Sequence, residues 1–117
     1  MDIDADKLSN GSLADAVDRH YAVTLGRDER TGDHRYLFEA LALSLRDRLV
    51  GRWRRTQAKY RDNGRTQVAY LSMEFLIGRS LHNAIYSMDL ADETREAIAR
   101  YACELEEVEV EELDAGL

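Results

Sequence analysis

Apolar residues recur every three or four positions in the first part of the chain, which is the spacing of one face of an α-helix. They are Leu13, Ala16, Val17 and Tyr21. Ser12 can cap the start of this helix and Gly26 can end it, while His20 lies within it and is interpreted as a structural residue. Residues 1–11 are acidic and poor in apolar side chains, so we expect a flexible N-terminus there.

A second, longer helix is predicted to begin after Asp33 and to end at Asn63-Gly64. Its apolar positions repeat every four residues and are Leu37, Leu41, Leu45, Leu49 and Trp53. If the helix runs to Asp62, it has about 28 residues and a length of about 42 Å, which is more than a small helical bundle covers. We therefore expect it to lie across a larger body.

The stretch Gln67–Phe75 breaks the helical period, follows a turn signal and is rich in β-branched and aromatic residues, so it predicts a strand. The strand is apolar on both faces, as in a parallel sheet covered by helices. The chain offers no convincing second strand, so its partners are expected elsewhere in the protein. The predicted fold class is therefore mostly α with one core β-strand, within an incomplete domain over residues 12–117.

Two shorter helices are predicted after Gly78. The first carries Leu81, Ala84, Ile85 and Met88, and Asp92 can cap a second that continues through Leu105. Seven of the eleven residues from Glu104 to Asp114 are acidic. This run is interpreted as a solvated helix face, with a metal site or a basic partner as the alternatives.

The charge balance argues against binding to nucleic acid or to an anionic membrane. The chain has 23 acidic and 16 basic residues and a formal net charge of -7, which would repel phosphate groups. Several basic residues cluster in the second helix: Arg46, Arg48, Arg52, Arg54, Arg55 and Lys59. Because helical spacing distributes such a run around the helix, it predicts a solvated face, with an anion site as the alternative.

The single cysteine, Cys103, cannot form an internal disulfide and is interpreted as a small core residue. No apolar run approaches the roughly 20 residues of a membrane helix. The acidic N-terminus also lacks the basic and then apolar pattern of a signal peptide. We therefore expect a cytoplasmic protein without a membrane partner.

The residue with the clearest chemical interest is Glu74, at the C-terminal end of the predicted strand. A buried carboxylate is costly unless it is paired or faces a polar cleft, and open α/β sheets bind ligands at this edge. Glu74 could form a structural ion pair with Arg79 or contact a ligand. The chain has no glycine-rich phosphate loop, and its histidines lack metal-ligand spacing, so no catalytic residue and no metal are expected.

Two motifs carry a family resemblance. The first is Arg46–Trp53 (RDRLVGRW), followed by Arg55-Thr56-Gln57, and the second is Tyr70–Phe75 (YLSMEF), followed by Gly78-Arg79-Ser80-Leu81 and Asn83. They resemble the long second helix, the first core strand and the next helix of the glycogen/α-glucan phosphorylases. The resemblance extends from Ala14 to Leu117, where the chain approaches the family's glycine-rich active-site loop.

This resemblance implies the N-terminal part of a two-domain α/β glycosyltransferase of the GT-B type, with Rossmann-like domains. In this family, pyridoxal phosphate on a C-terminal lysine helps inorganic phosphate cleave α-1,4-glucans to glucose 1-phosphate. Glu74 matches a glutamate that lines the sugar pocket, which makes it the candidate substrate-binding residue. The cofactor lysine and phosphate site would lie beyond Leu117, so the isolated chain is expected to be inactive. A homodimer is expected for the full-length enzyme.

Two departures from the family pattern concern regulation. The acidic stretch Met1–Ser12 lacks the basic phosphorylation motif of animal phosphorylases, and Arg61 stands where their AMP site has a tyrosine. Animal-type allosteric control is therefore not expected. The alternative interpretation is a free-standing acidic helical interaction module or a truncated remnant of the enzyme.

Overall fold

A computed structural model of the chain describes residues 11–28, 33–64 and 80–112. Within these ranges the secondary structure is helical. The elements are α1 (Leu13–Arg19), a π-helical turn (His20–Thr24), α2 (His34–Asn63), α3 (Ser80–Ser87), α4 (Ala91–Ala99) and α5 (Leu105–Glu109). None of these helices is both long and apolar enough to cross a membrane.

The predicted fold class, mostly α with one core β-strand, is wrong for the described residues, which contain helices and turns but no strand. A strand needs a neighbour to pair its backbone N–H and C=O groups, whereas the backbone–backbone hydrogen bonds of the described residues run within helices and local turns. The stretch 67–75, where the strand was expected, lies outside the described residues.

The predicted limits of the first helix are confirmed. Ser12 is its N-cap, and its side-chain oxygen accepts the Asp15 N–H at 3.2 Å. The helix widens into the π-helical turn and stops before Gly26, whose φ of 66° lies in the left-handed region that favours glycine. His20 and Tyr21 are buried on this turn.

The predicted limits of α2 are also confirmed. The Asp33 carboxylate accepts the Arg35 N–H at 3.0 Å, and Gly64 ends the helix with a φ of 58°. At 30 residues α2 is about 45 Å long. The buried apolar residues of α2 are Leu37, Ala40, Leu41 and Leu45, all in its first half.

The prediction for α4 is wrong at both ends. The helix begins at Ala91 without a side-chain cap, so Asp92 lies inside the first turn rather than capping it. It ends at Ala99 instead of continuing through Leu105, and the chain then passes through a turn in which Ala102 has a φ of 56°.

The core forms where the first half of α2 meets α1, the π-helical turn and α3 to α5. The rings of Tyr21 and Tyr101 lie 4.9 Å apart between the π-helical turn and the chain that follows α4. The remaining buried apolar side chains are Leu13, Ala14, Val17, Leu81, Ile85, Met88, Leu90, Ala97, Ile98, Leu105 and Val108. The second half of α2 contributes none of its large side chains to this core.

Candidate functional site

The candidate substrate residue Glu74 and its possible partner Arg79 lie outside the described residues. The described structure borders their segment on both sides, since α2 ends at Asn63 and α3 begins at Ser80. The helices on either side of this segment therefore supply the described geometry next to the candidate site.

The start of α3 is held by Glu112, which lies after α5. Its carboxylate oxygens accept the backbone N–H groups of Ser80 at 3.0 Å and Leu81 at 3.3 Å. A carboxylate at this position satisfies N–H groups that have no partner within the helix and interacts favourably with the helix dipole. Glu109 adds a second link, 3.1 Å from Nδ1 of His82.

These contacts change the interpretation of the acidic tail. The sequence predicted a solvated face there, whereas in the structure several of these carboxylates form hydrogen bonds or ion pairs with other parts of the chain. Glu106 accepts a hydrogen bond from Arg95 at 2.8 Å, which lowers the pKa of the Glu106 carboxyl and raises the pKa of the Arg95 guanidinium. The role of Glu112 cannot be predicted from a local sequence pattern because its partner Ser80 is 32 residues away.

A buried histidine links the π-helical turn to α2. His20 donates from Nε2 to the Asp47 carboxylate at 2.7 Å, and its Nδ1 lies 2.9 Å from the Thr24 hydroxyl. Arg19 adds a longer ion pair to the same carboxylate at 3.4 Å. His20 is 7% exposed and its ring is hydrogen-bonded at both nitrogens, so the prediction of a structural role for His20 is confirmed.

A second polar cluster joins α1 to the end of α4. The Asp18 carboxylate accepts hydrogen bonds from the Tyr101 hydroxyl at 2.6 Å and from Arg100 at 2.8 Å. The bond to Asp18 raises the pKa of the Arg100 guanidinium. Both polar clusters hold helices together.

The basic run of α2 does not converge on one site. Arg46, Arg52, Arg55 and Lys59 are exposed, whereas Arg48 and Arg54 are half-buried. The Arg48 guanidinium donates to the Gly11 carbonyl at 2.8 Å, which connects it to the chain before α1. This distribution around the helix favours the solvated face over an anion site.

The second half of α2 presents large apolar side chains to solvent. Trp53 is 62% exposed and Leu49 is 47% exposed, although both were expected on the same apolar stripe as Leu37. Arg61 is also exposed. This surface is available for packing against another part of a protein.

Cys103 is a poor candidate for a free nucleophile. It is half-buried between α4 and α5, and its Sγ donates to the Tyr101 carbonyl at 3.3 Å. Burial raises the pKa of this thiol, and the nearby charge of Glu107 adds to the effect. A raised pKa disfavours the thiolate, which is the nucleophilic form.

No family model matches the chain. Among curated proteins, the chain is similar to "Glycogen phosphorylase, brain form" of Bos taurus, with 42% identity over 102 residues, 87% of this chain and 12% of that protein. It is 43% identical over 102 residues to the human brain form, again 87% of this chain and 12% of that protein. The human liver form is 42% identical over 105 residues, 90% of this chain and 12% of that protein. The chain thus spans about an eighth of the length of these relatives.

Proposed function

The chain belongs to the glycogen phosphorylase family, and we propose that it is the N-terminal segment of an α-1,4-glucan phosphorylase. In the reaction, the terminal α-1,4 C–O bond of glycogen, starch or maltodextrin breaks and a bond forms between C1 and a phosphate oxygen. The product is glucose 1-phosphate. The observation that carries this proposal is the identity of 42% over 102 residues, which extends along 87% of the chain.

Within this enzyme we assign Glu74 to the sugar pocket as a substrate-binding residue. Glu74 precedes α3 by six residues, and the start of α3 is fixed by the two hydrogen bonds to Glu112. Glu112 therefore positions the start of α3, the helix that follows Glu74 in the chain.

Pyridoxal phosphate does not fit the described residues. The cofactor forms a Schiff base with a lysine, and the lysine among the described residues, Lys59, is exposed on the second half of α2. We therefore assign the cofactor to a lysine elsewhere in the full-length enzyme. This chain would contribute to the sugar side of the site.

We further assign the full-length enzyme to the cytoplasm, as a homodimer that acts without nucleic acid or membrane. The exposed Leu49 and Trp53 support a larger body around α2, because large apolar side chains at this exposure favour burial against a partner surface. In this proposal, the second half of α2 is covered by other parts of the same enzyme.

The test of this function is phosphorolysis by the full-length protein that contains this chain. Glycogen and inorganic phosphate are incubated with the protein, and glucose 1-phosphate is measured with and without added phosphate. We expect release that depends on phosphate. Hydrolysis to glucose, or no cleavage by a folded protein loaded with pyridoxal phosphate, would refute the assignment.

The role of Glu74 is tested in the same protein by Glu74→Gln, with Glu96→Gln on the exposed face of α4 as the control. The substitution keeps the size of the side chain and removes its charge. We expect kcat/KM to fall by an amount that corresponds to about 1 to 3 kcal/mol of lost transition-state stabilisation, with little change in melting temperature. Normal kinetics with a lowered melting temperature would instead indicate a structural ion pair.

A further inference from the structure

Three potential metal ligands meet where the start of α2 faces the chain around α5. They are His34, the first residue of α2, Cys103, in the turn before α5, and Glu107, within α5. One donor atom from each residue lies within 4.8 Å of the donor atoms of the other two. No metal was expected because the histidines lack the short spacing of metal ligands along the sequence, whereas the fold brings these three residues together from distant positions.

The local geometry restricts two of these side chains. Nε2 of His34 lies 3.6 Å from Oε2 of Glu107. The same carboxylate accepts the Glu104 backbone N–H at 3.3 Å as part of the capping box of α5, which holds it at this end of the helix. His34 and Cys103 are half-buried, while Glu107 is exposed, so an ion could enter from the solvent side.

We propose that His34, Cys103 and Glu107 bind a divalent cation of the zinc type. Imidazole nitrogen, thiolate sulfur and carboxylate oxygen are all ligands that zinc takes in proteins. Bond lengths of about 2.0 to 2.3 Å in a tetrahedral shell place the donor atoms about 3.5 Å apart, so small side-chain rotations complete the site. Water fills the fourth position, and the thiol proton passes to solvent as the cation binds.

The ligand set also selects the class of metal. Magnesium and calcium prefer shells made of oxygen atoms, and a single carboxylate with a thiol and an imidazole is a poor site for either ion. Soft and borderline cations favour sulfur and nitrogen ligands. The site is therefore assigned to zinc, with cobalt(II) as its spectroscopic substitute.

The bound ion would join the start of α2 to the α4–α5 turn. The same contact region already contains a hydrogen bond from the Arg35 guanidinium to the Glu111 carbonyl at 2.9 Å. A cation that binds only the folded arrangement stabilises it in proportion to its concentration relative to Kd. The bound ion would thus stabilise the contact between α2 and the α4–α5 turn, and this effect does not depend on the glucan chemistry.

The experiment is a cobalt(II) titration of the 117-residue chain, followed by displacement with zinc. Because Cys103 is the single cysteine, any thiolate-to-cobalt charge-transfer band must come from this residue. We expect the band to saturate at one cobalt per chain, to disappear on addition of zinc and to be accompanied by a raised melting temperature.

Three variants test the ligand set. Cys103→Ser should abolish the band, and His34→Gln and Glu107→Gln should each weaken cobalt binding. The matched controls are His82→Gln, whose imidazole has a comparable exposure and also contacts a glutamate, and Glu106→Gln in the same short helix as Glu107. Both controls should bind cobalt like the parent chain, and circular dichroism verifies the helical content of each protein.

Two results would overturn the proposal. The first is the absence of a charge-transfer band in the folded parent chain when cobalt is in excess. The second is a band whose cobalt dependence is unchanged by His34→Gln and Glu107→Gln, since it would indicate that Cys103 binds cobalt without these partners.

Discussion

The two halves of α2 belong to one continuous helix but differ in their surroundings. In the first half, Leu37, Leu41 and Leu45 are at most 2% exposed and lie in the core. In the second half, Leu49 and Trp53 are 47% and 62% exposed. The four-residue repeat of apolar residues therefore indicates a helix, but its five members do not all lie on one face of that helix.

Helical geometry explains the difference. Each residue advances by about 100° around the axis, so a four-residue step overshoots a full turn by about 40°. From Leu37 to Leu45 the overshoot is about 80°, and both residues can reach one core. From Leu37 to Trp53 it is about 160°, so Trp53 points away from that core.

The core-facing side of α2 also changes character along the helix. Around the helix axis, Arg48 and Arg55 lie within about 20° of the direction of Leu37. The face of α2 that is apolar at its start therefore carries arginines further along the helix. An arginine-bearing face cannot continue the core of α1 and α3 to α5 without burying charge. The packed unit therefore ends near the middle of α2, although the helix does not.

The largest expected effect separates the halves directly. Leu41→Ala removes a fully buried side chain and should lower the free energy of unfolding by about 2 to 5 kcal/mol. Leu49→Ala makes the same chemical change in the other half and should cost about 0.5 kcal/mol or less. Urea unfolding of both variants measures the difference, and equal losses would show that the two halves are equally packed.

A smaller effect is expected from a polar contact of the first half. Asp47→Ala leaves Nε2 of the buried His20 without its acceptor at 2.7 Å, which should cost about 1 to 3 kcal/mol. Asp62→Ala, at the exposed end of α2, is the matched control and should leave the urea midpoint nearly unchanged. If the two substitutions had the same effect, the His20 contact would contribute nothing to the packed unit.

The smallest effect concerns surface charge. The hydrogen bond from Arg95 lowers the pKa of Glu106, so the folded state binds this proton less readily than the unfolded state. The resulting stability is present above the unfolded pKa and is lost as the pH falls through the folded pKa. Arg95→Gln should raise the pKa of Glu106 and flatten this acid dependence, as carboxyl chemical shifts in an NMR titration can measure. A Glu106 pKa that does not respond to the substitution would contradict the contact.

The features that the sequence predicted correctly depend on neighbours within about one turn. Ser12 and Asp33 cap helices through N–H groups two or three residues ahead, and Gly26 and Gly64 end them through their own backbone freedom. Such signals need no knowledge of the fold.

The features that the sequence missed depend on tertiary contacts. Glu112 reaches Ser80 across 32 residues, and no local pattern identifies it as a cap. His34, Cys103 and Glu107 come together only after α2 packs on α5. The predicted fold class with one core strand is wrong for the described residues. A strand is defined by its partners, which a single stretch of sequence does not supply.

We propose that this chain is a segment of a larger phosphorylase, whose other parts cover the second half of α2. Amide hydrogen exchange, measured on the 117-residue chain and on the full-length enzyme, tests it most directly. We predict that residues 37–45 exchange slowly in both proteins, whereas residues 52–63 exchange rapidly in the chain and slowly in the full-length enzyme. Equally rapid exchange of residues 52–63 in both proteins would contradict the claim.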